Sequence, residues 1–185
     1  MNAPINITNV VLKTPRLVLR PFREPDLQDL YAYARVDGVG QMAGWMPHKS
    51  IEESRAILQM FMGEKKTFAL EYEGKVVGSL GIEKYSETHF PELANARGRE
   101  IGYVLAKDCW GQGLMTEAVR AVMGYLFDTV GLDFITVGHF EHNGRSRRVI
   151  EKCGFTYVKT TTYQTRYETV EPSLAYILWN PGQKR

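Results

Sequence analysis

The chain has little of what marks secreted, membrane-spanning or metal-stapled proteins. Only two cysteines occur in 185 residues, Cys109 and Cys153, and they fit neither a disulfide framework nor a zinc site. No apolar run approaches the ~18 residues of a membrane span. Residues 1–10 lack the basic start and apolar core of a signal peptide. We therefore expect a cytoplasmic protein that does not bind a membrane.

An excess of charge of one sign is also missing. The chain has 23 lysines and arginines against 21 aspartates and glutamates, for a net charge of +2. Such a balance gives no general attraction to nucleic acid, so no nucleic-acid partner is predicted. The four histidines show no metal-ligand spacing, so no metal is predicted either. The length indicates a single domain over residues 1–185, with residues 1–14 as a loosely held N-terminal arm.

Hydrophobic periodicity predicts an α+β chain in the order β-α-α-β-β-β-α-β-α-β-β. The predicted strands lie near residues 17–20, 68–73, 76–84, 99–106, 134–140, 155–163 and 174–179, and the helices begin near residues 25, 51, 114 and 143. We expect a mostly antiparallel, twisted sheet of about seven strands with about four helices. Its one β-α-β crossover should be right-handed.

The segment from Arg99 to Phe127 is the most informative part of the sequence. An alternating strand is followed by a glycine-rich turn and then by apolar residues at helical spacing. Gly111 and Gly113 carry no Cβ, so a ligand can approach their backbone closely. The helix begins directly after them, and the unpaired N–H groups of its first turn favour an anion such as phosphate. No Lys-Ser or Lys-Thr follows, and Thr116 replaces the third glycine of a dinucleotide fingerprint. Both of these common nucleotide motifs are therefore disfavoured.

The same segment resembles a known family. W-G-Q-G-L-M-T-E-A at residues 110–118, after R-E-I-G-Y-V-L at residues 99–105, looks like the acetyl-CoA-binding motif of the GNAT superfamily of N-acetyltransferases. Within that superfamily, the motif resembles that of the ribosomal-protein N-terminal acetyltransferase (Rim-type) branch. Trp110 and Met115 depart from the family's core signature, which has Gln or Arg and Gly or Ala there. The resemblance covers about residues 14 to 180 and implies a GNAT-like fold.

The resemblance implies two cofactor segments. Backbone N–H groups of the turn would hold the pyrophosphate of acetyl-CoA, and strand backbone would pair with the pantetheine arm; the residues concerned are Gly111, Gln112, Gly113, Leu114, Met115, Thr116, Val104 and Leu105. In H-N-G-R-S-R-R at residues 142–148, Asn143 matches the family's Asn that contacts the pantetheine arm. A helix cap is the alternative for Asn143. Arg148 is predicted to contact the 3′-phosphate with its neighbours Arg145 and Arg147, or else to lie on a solvated face.

Acetyl transfer to an amine needs a base for the ammonium group and a partner for the leaving thiolate. The tyrosine acid that many members carry has no counterpart between residues 143 and 156. The resemblance implies Ser146 in its place, either hydrogen-bonded to the thiolate or relaying a proton from water. The alternative for Ser146 is a structural place in the first turn of the helix. Glu100, which matches the Glu of the family's E-I-G-Y segment, is the predicted base, and Glu83 is the alternative. Either carboxylate could instead be a surface group paired with a nearby Arg97, Arg99 or Lys84.

The predicted reaction is direct attack of a primary amine on acetyl-CoA in a ternary complex. The acceptor site should lie among residues 37–50, 85–98 and 164–173, and a peptide N-terminus or a small-molecule amine both remain open as acceptor. The alternative function is a non-catalytic acetyl-CoA or CoA sensor or interaction module of the same fold. A homodimer formed through the final strands is also open.

Overall fold

The computed structural model describes residues 1–182. Its main elements, in chain order, are β1 (Leu12–Lys13), β2 (Leu17–Pro21), α1 (Leu27–Ala34), α2 (Ile51–Glu64), β3 (Thr67–Tyr72), β4 (Lys75–Glu83), β5 (Gly98–Leu105), α3 (Leu114–Gly124), β6 (Phe134–Phe140), α4 (Gly144–Lys152), β7 (Thr156–Gln164) and β8 (Val170–Trp179). The strands form one sheet in the order β1-β2-β3-β4-β5-β6-β8-β7. Within the described residues, β5 and β6 are the parallel pair of this sheet and its other pairs are antiparallel.

The predicted architecture is confirmed. The structure shows four α-helices in residues 1–182 and eight strands, one more than the approximate seven, because the two-residue β1 pairs with β2. The parallel pair closes the expected crossover from β5 through α3 to β6. None of the helices described in this range has the length and apolar character needed to cross a membrane.

The helices begin and end where local chemistry dictates. The Ser50 hydroxyl accepts a hydrogen bond from the Glu53 N–H at the start of α2. Gly154, with a φ of +86°, follows the C-terminal end of α4, where the left-handed conformation favours glycine. The β3–β4 hairpin turns at Glu73 and Gly74, both with positive φ, as a two-residue hairpin turn requires. These local signals fix the element boundaries around the site.

The helices cover both faces of the sheet. Phe68 of β3 packs edge-on against Tyr125, which follows α3, with 6.2 Å between ring centroids. On the opposite face, Ser79 of β4 shares a hydrogen bond with Tyr33 of α1. Because side chains alternate along a strand, each residue of β4 and β5 can be assigned to the α3/α4 face or to the α1 face. This assignment decides which candidate residues can meet.

The N-terminal arm is packed, not loosely held, which corrects that expectation. Ala3 and Ile7 are almost fully buried. The Ala3 carbonyl accepts a hydrogen bond from the Arg99 side chain at 2.6 Å, and the Ile7 N–H donates to the Lys65 carbonyl at 2.9 Å. Asn2 forms a bridge to Gly98 at the start of β5. Burial of apolar side chains holds the arm against the domain, and its few apolar residues gave no periodic signal in the sequence.

Candidate functional site

A cleft opens where β5 and β6 separate. The two strands are paired from Gly98 and Phe134 as far as Ile101 and Val137, and no ladder pair joins them beyond that point in the described residues. Side chains and backbone of β5, the glycine turn, the start of α3 and one face of α4 line this cleft. The sequence-predicted residues that line it are Leu105, Gly111, Gly113, Leu114, Met115, Thr116, Asn143, Ser146 and Arg148.

The glycine turn presents free donors to the cleft. Gly111 and Gly113 have φ values of +77° and +80°, a region that favours glycine. Gly113 is the N-cap of α3, and no side chain accepts a hydrogen bond from the first N–H groups of this helix. An anion in the cleft would therefore meet unpaired N–H groups and the positive end of the helix dipole. Met115 is buried, so its side chain belongs to the core while its backbone lies at the turn.

Two predicted cofactor residues do not line the cleft. The Gln112 side chain donates a hydrogen bond to the Asp108 carbonyl at 3.1 Å. The Gln112 backbone carbonyl accepts a hydrogen bond from the Arg16 guanidinium at 2.9 Å. Val104 lies on the opposite face of β5, opposite Ser79. A role for either residue would have to come from its backbone, as the prediction stated. Of the two predicted β5 residues, Leu105 lines the cleft. Its carbonyl accepts a hydrogen bond from the Trp110 indole at 2.8 Å.

Asn143 shapes the other wall. Its side-chain oxygen accepts a hydrogen bond from the Ser146 N–H at 3.2 Å, so Asn143 caps α4, while its contact with a pantetheine arm stays a prediction. Its amide nitrogen donates to the Met42 carbonyl at 3.4 Å. This contact ties α4 to the segment 39–42, of which Val39 and Met42 line the cleft. Part of the loop expected for the acceptor therefore lines the cleft that contains the glycine turn.

The most instructive contact of the cleft joins Tyr103 to Ser146. The two hydroxyl oxygens lie 3.0 Å apart, and both residues line the cleft. Burial raises the pKa of Tyr103, and the bond to Ser146 opposes only part of that rise. Sequence reasoning missed Tyr103. The alternation of side chains along β5 could have identified it. Gly102 and Val104 lie on one face of the strand, and Tyr103 lies on the other, which α4 covers.

Positive charge surrounds the glycine turn. Arg145, Arg148 and Lys152 line the cleft, and the Arg145 guanidinium stacks 4.0 Å from the Trp110 ring centroid. Arg147 lies outside and pairs with Glu151 at 2.8 Å. A second groove shares Gly113, Thr116 and Lys152 with the cleft; its remaining basic residues are Lys13, Arg16 and Arg120. Arg16 is paired with Glu117 of the same groove at 2.8 Å, so Lys13, Arg120 and Lys152 are the cations that an extended ligand with several phosphates would meet there.

The candidate bases lie on the other face of the sheet. Glu100 of β5 is directly opposite Glu83 of β4, and Thr136 of β6 is its neighbour on the far side. Burial raises the pKa of Glu100 to about 7; the hydrogen bond from Thr136 lowers it, and the charge of Glu83 raises it further. Glu83 is bound by Lys66 at 2.5 Å. Neither carboxylate pairs with Arg97, Arg99 or Lys84 in the contacts described.

No group of three or more His, Cys, Asp or Glu side chains within residues 1–182 is arranged to hold a metal ion.

Comparisons with known proteins agree with this geometry. A family model described as an acetyltransferase (GNAT) domain matches residues 16–156. An uncharacterized N-acetyltransferase, YoaA of Bacillus subtilis, is 28% identical over 179 residues, covering 88% of this chain and 97% of that protein. A GNAT-family acetyltransferase structure from Bacillus anthracis aligns with a TM-score of 0.79 at 23% identity, over 92% of this chain and 99% of that one. A ribosomal-protein-S5-alanine acetyltransferase structure from Vibrio fischeri aligns with a TM-score of 0.72 at 19% identity, over 96% of this chain and 100% of that one.

Proposed function

The chain belongs to the GNAT acetyltransferase family, and we propose that it transfers the acetyl group of acetyl-CoA to a primary amine by direct attack in a ternary complex. The observation that carries this proposal is the cleft. An uncapped helix N-terminus with two positive-φ glycines opens into the same space as the unpaired part of β5. The helix N-terminus at one end of the cleft can bind a pyrophosphate, and the unpaired strand backbone at the other end can bind an amide-bearing arm.

The residues of the cleft fit acetyl-CoA. Gly111, Gly113 and the first turn of α3 would hold the pyrophosphate through backbone N–H groups. Beyond Ile101, β5 has strand backbone that β6 does not pair with, although the Leu105 carbonyl already accepts a hydrogen bond from the Trp110 indole. Arg148 and the basic groove beside Lys152 would meet the remaining phosphate. Bound there, acetyl-CoA supplies an acyl group activated as a thioester.

Glu100 acts as the base in this proposal. An amine arriving as an ammonium ion must lose a proton before its nitrogen can attack the thioester carbon. A carboxylate whose pKa lies near 7 accepts that proton, directly or through water, and returns it to solvent at neutral pH. The β5–β6 ladder ends at Ile101, the residue after Glu100, and Gly102 beyond it is exposed, so the separation of the strands begins within two residues of Glu100.

Ser146 and Tyr103 act on the leaving sulfur. When the new C–N bond forms and the C–S bond breaks, negative charge develops on the thiolate. In this proposal the Ser146 hydroxyl donates to the sulfur, and the Tyr103 hydroxyl, 3.0 Å away, donates to the Ser146 oxygen. The proton that the acylated nitrogen must still lose passes to the thiolate, directly or through Ser146, so that CoA leaves as the thiol. Burial raises the pKa of both Cys109 and Cys153. Two thiols held protonated in this way favour direct attack over an acyl-enzyme.

Ligand-dependent thermal unfolding tests the cofactor part of the proposal. Acetyl-CoA and CoA should raise the melting temperature of the full chain, and ATP and NAD should not. Stabilisation by ATP or NAD alone would overturn the proposal. Consumption of acetyl-CoA in the presence of a panel of primary amines then separates an enzyme from the alternative, a non-catalytic CoA sensor. That alternative predicts stabilisation without turnover.

A further inference from the structure

The glycine turn is held from behind by an ion pair that lies outside the cleft. Arg16, in the connection between β1 and β2, donates from its side-chain Nε to Glu117 Oε2 at 2.8 Å. Nη1 of the same guanidinium donates to the Gln112 backbone carbonyl at 2.9 Å. Arg16 and Glu117 line the second groove and not the cleft, whereas Gly113 lines both. One side chain thus connects the turn, the first turn of α3 and the β1–β2 connection.

The bond to Gln112 fixes the direction of the next N–H group. The Gln112–Gly113 peptide bond is trans and planar, so its carbonyl and its N–H point in opposite directions. Because Arg16 holds the carbonyl, the Gly113 N–H points away from Arg16, and the cleft is the other space that Gly113 lines. Within residues 1–182, this N–H donates to no other group. It is therefore an available donor whose direction Arg16 sets.

The glycine turn needs such a restraint. Gly111 and Gly113 flank Gln112, both with positive φ, and glycine accepts many backbone conformations. If the Gln112–Gly113 peptide plane rotated by half a turn, its carbonyl oxygen would face the cleft and repel an anion there. A hydrogen bond from a charged donor is stronger than one between neutral groups, so the guanidinium opposes this rotation. A turn that is already oriented loses less conformational freedom when a ligand binds.

Glu117 anchors the arginine and is itself firmly held. Its Oε1 accepts hydrogen bonds from the Thr14 hydroxyl at 2.5 Å and from the Arg16 backbone N–H at 2.9 Å. Burial raises the pKa of Glu117, but these bonds and the Arg16 side chain lower it overall, so the carboxylate is ionised at neutral pH. A negative charge in the first turn of α3 is favourable to the helix dipole, but it repels an anionic ligand at the same helix end. The charge of Arg16 compensates for it.

Stability alone does not account for this arrangement. The Arg16 side chain is 41% exposed, and ion pairs at such positions contribute little to the free energy of folding. Gln112 is exposed as well, so water could satisfy its carbonyl without Arg16. Water cannot supply a fixed direction for this carbonyl together with a positive charge beside Glu117. Both of these effects act on the anion-binding end of the cleft.

We propose that Arg16 is a positioning residue for the pyrophosphate of acetyl-CoA, which directs the Gly113 N–H into the cleft and compensates for the Glu117 charge without touching the ligand. This inference rests on the proposed function, because it concerns the same turn. It gives the β1–β2 connection a role in the site. No local pattern indicated this role, since 96 residues separate Arg16 from Gln112 along the chain.

Isothermal titration of the full-length protein with CoA and dephospho-CoA, which both contain the pyrophosphate, tests this role. We expect Arg16→Met to raise Kd for both ligands by about tenfold or more, the value of a hydrogen bond to a charged group. Arg16→Lys keeps the charge without the forked geometry and should restore part of the affinity. Arg23→Met is the matched control, since Arg23 is exposed, is paired with Asp26 and Glu71, and lines neither cavity. It should leave both Kd values unchanged.

A double variant separates the two effects of Arg16. In Arg16→Met the Glu117 carboxylate loses its counter-charge, and Glu117→Gln removes that charge. The protein with both changes should therefore bind CoA more tightly than Arg16→Met alone, and the difference should shrink at high salt. Equal Kd values for the single and double variants would overturn the charge-compensating part of the proposal.

Other results would overturn the positioning role itself. Unchanged Kd values in Arg16→Met would show that the turn is oriented without Arg16. A rise confined to CoA would mean that Arg16 contacts the 3′-phosphate directly. A rise that Arg16→Lys does not reduce, together with a larger fall in the ligand-free melting temperature than Arg23→Met causes, would show a purely structural role. Wild-type protein that binds neither ligand would instead defeat the proposed function, and this inference with it.

Discussion

Glu83 and Glu100 face each other directly across the antiparallel pair β4–β5. The two carboxylates that the sequence offers as alternative bases are therefore neighbours in one site. Their surroundings differ, because Glu83 is paired with Lys66 while the hydroxyl of Thr136 is the described partner of Glu100, at 3.4 Å. Two carboxylates in contrasting environments can divide the work, one attracting the cation and the other taking its proton.

Glu100→Gln should remove an inflection near pH 7 from the pH profile of kcat/KM. The Glu100 carboxyl, with its pKa raised to about 7 by burial, is a competent base only above that pH, so wild-type kcat/KM should fall as the pH drops through 7. The variant should be slower at pH 7.5 by about a hundredfold, the range of general-base catalysis. Glu83→Gln should keep the inflection. Loss of the inflection in Glu83→Gln alone would reverse the two roles.

The same variant should be more stable than the wild type at high pH. A carboxyl whose pKa is higher in the folded state than its usual 4.5 destabilises the fold once it ionises. The penalty is absent below about pH 4.5, grows as the pH rises to 7, and is complete above 7. We expect urea unfolding at pH 8 to show a gain of about 1–3 kcal/mol for Glu100→Gln, which disappears near pH 4. A gain that is equal at both pH values would mean that ionisation is not its cause.

Tyr103→Phe and Ser146→Ala should behave as one unit. If the tyrosine orients the serine hydroxyl toward the sulfur, each single change should lower kcat by about three- to tenfold, the value of one hydrogen bond, with KM for acetyl-CoA unchanged. The kcat of the double variant, Tyr103→Phe with Ser146→Ala, should be no lower than that of Ser146→Ala alone. A double-mutant cycle with saturating acetyl-CoA measures this coupling. Additive losses would show that Tyr103 acts independently of Ser146.

The sequence predicted most of the residues that line the cleft because its signals there are local. The alternation around Ile101, the glycines at 111 and 113 and the Asn143 cap each depend on neighbours within a few residues. The same patterns predicted the order of the elements. The same alternation would have identified Tyr103 if each β5 residue had been assigned to one of the two faces of the sheet.

The face of the sheet that carries Glu83 and Glu100 depends on contacts that no local pattern contains. Glu83 and Glu100 are brought together by the β4–β5 register, and Tyr163 reaches them from β7 at the edge of the sheet. The N-terminal arm packs through isolated apolar residues such as Ile7, which show no periodicity. Long-range pairing of this kind is decided by the whole sheet, so the sequence left the choice between the two bases open.

Arg148→Ala should weaken acetyl-CoA binding where Arg147→Ala does not. Both residues lie on α4, but Arg148 lines the cleft and Arg147 is exposed and paired with Glu151. Loss of one charge-assisted contact to phosphate should raise Kd by roughly tenfold at low salt and by less at high salt. Isothermal titration of CoA and dephospho-CoA checks the assignment. If Arg148 meets the 3′-phosphate, its removal should not affect dephospho-CoA.

Gly113→Trp should abolish acetyl-CoA binding, and Gly74→Trp should not. Both glycines have positive φ, +80° and +77°, so a tryptophan strains the backbone to a similar extent at each. They differ in location, since Gly113 caps α3 at the cleft and Gly74 turns the distant β3–β4 hairpin. Circular dichroism of both variants establishes that each has folded, and thermal shift with acetyl-CoA then reports the loss. If folded Gly113→Trp still gains stability from acetyl-CoA, the pyrophosphate does not lie on this turn, and the basic groove around Lys13 and Arg120 becomes the place to search for it.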